Sequence, residues 1–135
     1  MKRAADAARD AALGLARRVR SRELLAKLGD AHTHLDAARN HVASGEREIA
    51  VLCLELSCSA VIEAREISRS LDRTGEDLQL LSILLGQLTE QVTKMQDPLS
   101  DNPDFIQLRL RLRNASERLQ RNMAQSRYTY KVPEV

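Results

Sequence analysis

Apolar residues return at three- and four-residue steps along most of the chain. Between residues 76 and 96 they fall at Leu78, Leu81, Leu85, Leu88, Val92 and Met95, the heptad alternation of a helix that buries one seam. A second seam starts at Leu24 and runs through Leu28, Ala31, Leu35, Ala38 and Val42; counted onward, it meets Gly45, Ile49, Leu52 and Leu56. This register survives both Gly29 and Gly45, and glycine costs only about 1 kcal/mol inside a helix. The pattern therefore predicts one long helix from about residue 30 to 73, with a fresh helix capped by Ser44 as the competing reading. Phe105, Leu108, Leu112, Ala115 and Leu119 form a third seam, on a helix over 103–127.

Turn-forming residues punctuate these runs. In DRTGED, Gly75 follows Thr74, and Thr74 with Asp77 three residues on resembles a capping box, which predicts a helix over 76–96. DPLSDNPD is a stronger break, in which Asn102 suits an N-cap and Pro103 a first helical position. YTYKVPEV, residues 128–135, reads as an extended C-terminal tail. Ahead of the seams, only Leu13, Leu15 and Val19 offer large apolar groups before Leu24. Residues 1–22 are thus expected to be a weakly docked, Ala/Arg-rich helical arm in front of a bundle over 23–127. The helices after residue 45 are similar in length and joined by short turns, which makes them antiparallel neighbours. Residues 1–44 extend beyond them or fold back. The predicted fold is all-α: an elongated antiparallel bundle of three to five helices with coiled-coil-like, Leu/Ala-rich seams.

Composition supports this class. Among 135 residues there is no Trp, one Phe and two Tyr, so Leu and Ala must fill the core. Both are strong helix formers, whereas a sheet favours β-branched and aromatic residues. Charge adds a second feature. Residues 1–22 carry seven basic and two acidic side chains, net +5, while the rest carries 14 basic and 17 acidic, net −3. No apolar run approaches the ~20 residues of a membrane span. Cys53 and Cys58, five apart on a helix, point about 140° away from each other and read as free thiols in a reducing, cytoplasmic compartment. An organelle-targeting role for the Arg-rich N-terminus is the alternative, opposed by Asp6 and Asp10.

The chemistry-bearing residues form no catalytic set. His34 and His41 share a helix face, but two turns separate them, too far for one metal ion. Cys53 and Cys58 have Glu55 between them rather than the cationic setting a thiolate needs, and they read as small buried hydrophobes. Glu63 and Glu66 stand beside Arg65 and Arg69 and read as surface ion pairs. The glycines are scattered singly, so no phosphate loop forms. No enzyme, cofactor, metal site or small-molecule substrate is expected.

What remains is surface. Residues 49–62, IAVLCLELSCSAVI, are apolar around nearly the whole helix and should be covered on several sides. On the helix at 76–96, Leu80, Ile83 and Leu84 lie off the main seam. They need a second contact, either in residues 1–44 or in another chain. The expected function is a non-enzymatic adaptor or scaffold subunit acting through coiled-coil protein–protein contacts, self or hetero, with a chaperone-like grip on a helical client as a variant. Leu80, Ile83 and Leu84 are the expected partner-binding residues, and Arg17, Arg18 and Arg20 a subsidiary electrostatic contact. The alternative is a module that binds an anionic surface, nucleic acid or membrane lipid, through the basic N-terminal helix. The apolar side of this helix is mostly alanine, which inserts poorly into a membrane, and the adaptor is the favoured reading.

Overall fold

A computed structural model describes residues 2–71, 75–92, 94 and 98–129, with side chains described except at Lys2, 75–77 and 126–129. Four α-helices form: α1 (Lys2–Ala43), α2 (Arg47–Leu71), α3 (Gly75–Val92) and α4 (Pro103–Thr129). A short 3-10 turn, Leu99–Asp101, precedes α4, and no strand occurs among the described residues. α1 packs on α2 and α4, α2 on α3, and α3 on α4. The helices thus stand in a ring in chain order, with α1 diagonal to α3 and α2 diagonal to α4. The fold is an all-α helical bundle.

Two of the seams behave as their spacing predicts. Leu78, Leu81, Leu85, Leu88 and Val92 of α3 are fully buried, as are Leu108 and Leu112 of α4, with Phe105, Ala115 and Leu119 nearly so. Met95 lies outside the described residues. Leu24, Leu28, Ala31, Leu35 and Ala38 bury the C-terminal half of α1, and Leu99 closes one end of the core. Residues 24–43 therefore fold back as the fourth helix of the bundle. The expected arm is continuous with them: α1 does not break near residue 22. What changes there is burial, since residues 3–20 are exposed apart from Gly14. With 42 residues, α1 is about 63 Å long at 1.5 Å per residue.

The long helix over 30–73 is not present. α1 ends at Ala43, and Gly45 adopts φ +79°. The Glu46 N–H donates to the His41 carbonyl at 2.8 Å, and the Gly45 N–H to the Val42 carbonyl at 3.0 Å. This is the paired closure of a Schellman motif, with glycine at the left-handed position that follows the helix. The heptad count ran through this turn by coincidence, and it misplaced the inner face of α2 by one residue. Ala50, Leu54, Ser57, Val61, Ala64 and Ser68 are buried, while Ile49, Leu52 and Leu56 are exposed. Nor is α2 covered on all sides, because only α1 and α3 flank it.

Small residues set the α1–α2 contact. Ala31 and Ala38 of α1 and Ala50, Ser57 and Ala64 of α2 are all buried with no accessible surface, which lets the two backbones approach closely. The Ser57 hydroxyl donates to the Ala31 carbonyl at 2.7 Å across that interface, so the buried hydroxyl is satisfied. His41 meets Glu46 beside the turn, and Lys27 meets Glu63 farther along. The pairing steps back along α1 as it steps forward along α2, so the two helices are antiparallel.

At α4 the expected cap is present. Asn102 Oδ1 accepts the Asp104 and Phe105 N–H groups at 2.9 and 3.2 Å, and Pro103 occupies the first helical position. Both sites satisfy or avoid donors that a helix start leaves orphaned. Two boundaries differ from the spacing-based reading. α3 stops at Val92, with the Lys94 N–H turning back to the Gln91 carbonyl at 3.0 Å, rather than running to 96. α4 continues to Thr129, past the start of the predicted tail at 128, because no breaker precedes Pro133. The Thr74–Asp77 capping box and residues 130–135 lie outside what is described.

Candidate functional site

The expected partner-binding residues separate into two environments. Leu80 is 38% and Ile83 50% exposed, whereas Leu84 is half-buried and packs on the core. α3 touches α2 and α4, so residues 1–44 do not cover this face. Leu80 and Ile83 stand together on the outside of α3, and Leu84 bridges from that face to the interior.

A second apolar face was marked by spacing but assigned to the interior. On α2, Ile49, Leu52 and Leu56 point outward at three- and four-residue steps, with Leu52 58% exposed. Glu48 and Glu55 are exposed beside these residues, and Glu63 and Glu66 are exposed farther along α2. Glu63 pairs with Lys27, whose pKa is raised by that hydrogen bond and by the carboxylate charge. Glu66 pairs with Arg69 at 3.2 Å and with Arg65 at 3.9 Å, as the local spacing suggested. The signal that could have found this face is the glycine at 45: a break there releases the next helix from the preceding register.

The outer face of α4 mixes apolar and basic groups. Ile106 and Leu110 are exposed, with Arg109, Arg113, Arg118 and Arg121 around them. A groove of about 570 Å³ between α1 and α4 is lined by His32, Arg39, Ile106, Arg109, Leu110 and Arg113. Half-buried Asp36 gathers three of these lining residues, with His32 Nδ1 at 3.3 Å, Arg109 Nε at 3.5 Å and Arg39 Nη1 at 3.9 Å. The Asp36 Oδ1 atom is buried and makes no hydrogen bond, so its contacts with the two arginines are ion pairs. Arg109 is therefore committed to the fold and does not belong to a free basic face. Arg113 reaches Glu117 at 3.2 Å. The groove offers positive charge beside apolar surface.

Arg17, Arg18 and Arg20 are exposed on the part of α1 that extends past its neighbours, near exposed Leu13, Leu15 and Val19. They stand on the helix diagonal to Leu80 and Ile83, so the electrostatic and apolar sets do not form one site. Cys53 and Cys58 are half-buried free thiols packed against the core rather than fully buried. Burial pushes the Cys58 pKa up, away from the thiolate that nucleophilic chemistry needs. Among the described residues, no group of three or more His, Cys, Asp or Glu could hold a metal ion, and no helix is long and apolar enough to cross a membrane. No family model, curated protein or solved structure matches the chain.

Proposed function

We propose that this chain is a non-enzymatic helical adaptor or scaffold subunit that works through protein–protein contacts of its outer helix faces. The observation that supports this reading is the coexistence of a closed core with large apolar side chains left outside it, among them Leu52, Leu56, Leu80 and Ile83. Apolar surface grouped on one helix face is the usual mark of an interaction site. Such a face accepts another helix through anchors at three- and four-residue steps, and a chaperone-like hold on a helical client uses the same contact. The two free cysteines suit a reducing, cytoplasmic compartment.

Two double variants test the reading, Leu80→Asp with Ile83→Asp and Leu52→Asp with Leu56→Asp. The tagged chain is cross-linked in the cells that produce it, and each purified variant is melted by circular dichroism. Wild type is expected to give discrete cross-linked species, and at least one variant to lose them with its melting curve unchanged. Species that persist in both variants, or none in wild type, defeat the proposal.

A second reading draws on the exposed basic stretch of α1: a module for anionic surfaces, nucleic acid or lipid. Its binding would fall steeply between low and moderate salt, whereas contacts made by apolar burial would change little.

A further inference from the structure

The outer faces of α2 and α4 are complementary in charge and alike in form. On α2, apolar Ile49, Leu52 and Leu56 are exposed beside Glu48 and Glu55, with Glu63 and Glu66 exposed farther along the helix. At 100° per residue, the basic residues of this helix, Arg47, Arg65 and Arg69, fall along one edge rather than on that stripe. On α4, exposed Ile106 and Leu110 are followed at the same steps by Arg113, Glu117 and Arg121. α4 carries six arginines against Asp104 and Glu117. Glu48 and Glu55 on α2, and Arg121 on α4, reach no oppositely charged side chain among the described residues.

These faces cannot meet within one molecule. α2 and α4 are diagonal in the ring, with α1 and α3 between them. Resting on the reading of the chain as an interaction module, we infer that the partner is a second copy of this chain: the acidic–apolar face of α2 in one molecule seats on the basic–apolar face of α4 in the next. Opposite charge steers the encounter and fixes which faces meet. Leu52 and Leu56 on one side, and Ile106 and Leu110 on the other, supply the apolar contact. Because the two surfaces differ, the contact is heterologous. Every added molecule leaves one α2 face and one α4 face open, so assembly proceeds to a ring or a filament rather than stopping at a dimer.

Sedimentation of the full chain over a range of concentrations tests this. Wild type is expected to grow in mass with concentration. Glu48→Arg with Glu55→Arg makes both faces basic; Arg113→Glu with Arg121→Glu makes both acidic. Each variant alone is expected to lose every species above single-chain mass, with its helical melt unchanged. An equimolar mixture of the two should reassemble, since each then carries what the other's faces need. If a reversal lowers the melt, Glu48→Gln with Glu55→Gln replaces it and should reduce assembly.

Assembly by either variant alone, or a mixture that stays at single-chain mass, overturns the inference. If the α2 variant loses assembly but the α4 variant keeps it, the occupant of the α2 face is some other basic segment, such as the α1 arm, and the α4 contact is wrong. If wild type and both variants all assemble, a different face mediates; the inference fails while the interaction-module reading gains support. A wild type that never exceeds single-chain mass also overturns it, and the cross-linking experiment then decides the broader reading by itself.

Discussion

Two glycines in apparently equivalent settings carry opposite energetic signs. A Cβ built at Gly29 or at Gly45 meets nothing within 4 Å, so neither site is crowded. Gly29 lies within α1 at ordinary helical geometry, whereas Gly45 holds φ +79°. An L-side chain in the left-handed region costs roughly 1–2 kcal/mol, and alanine in a helix is better than glycine by about 1 kcal/mol. Gly45→Ala should therefore destabilise the bundle and Gly29→Ala should stabilise it. Urea midpoints of the two variants should move in opposite directions from wild type. A Gly45→Ala midpoint equal to that of wild type would show that the Schellman turn does not form in solution. Sequence alone could not separate these glycines, because both interrupt the same intact heptad count. The decisive quantity is a backbone angle set by the turn's hydrogen bonds.

At the level of the element, α2 is where spacing misleads most. Its sequence supports two adjacent apolar stripes, one through Ile49, Leu52 and Leu56 and one through Ala50, Leu54, Val61 and Ala64. The first has the larger side chains and continues the α1 register, so periodicity favours it. The second is the one that packs, because its alanines and serines let α2 lie close to α1. The Ser57–Ala31 hydrogen bond then fixes their register. A pair of truncations separates the stripes. Leu54→Ala should cost about 2–5 kcal/mol, the range for a buried leucine. Leu52→Ala should stay within about 0.5 kcal/mol, as exposed substitutions do. Chemical denaturation of both variants checks this, and equal losses would mean that α2 is rotated from the orientation described. The α3 and α4 seams did not carry this ambiguity: on each helix the longest run of large side chains at three- and four-residue steps is the buried one, and each is bounded by a break legible in sequence.

For the whole molecule, burial divides α1 rather than any break in it. Leu24 begins the buried stretch, and upstream of it the side chains are exposed apart from Gly14 and the half-buried Ser21. Removing residues 1–15 should leave the melting transition within about 0.5 kcal/mol of wild type, since exposed segments contribute little to stability. A loss well beyond that would mean that the arm docks on the bundle. The ring order, with α1 diagonal to α3 and only α2 and α4 beside it, leaves the outer face of α3 uncovered, so Leu80 and Ile83 remain outside while Leu84 turns partly inward.

The sequence by itself determined the helical class, the buried seams of α3 and α4, the Asn102–Pro103 start of α4 and the exposed basic arm. These follow from local rules: three-and-four spacing, capping chemistry and the helix preference of Leu and Ala. Tertiary structure decided which of two stripes on α2 faces inward, where the chain reverses between α1 and α2, and how Asp36 draws Arg109 into the fold. Each of these depends on neighbours remote in sequence. Helix periodicity repeats under rotation of the helix about its own axis, so only the packing partner can select the angle.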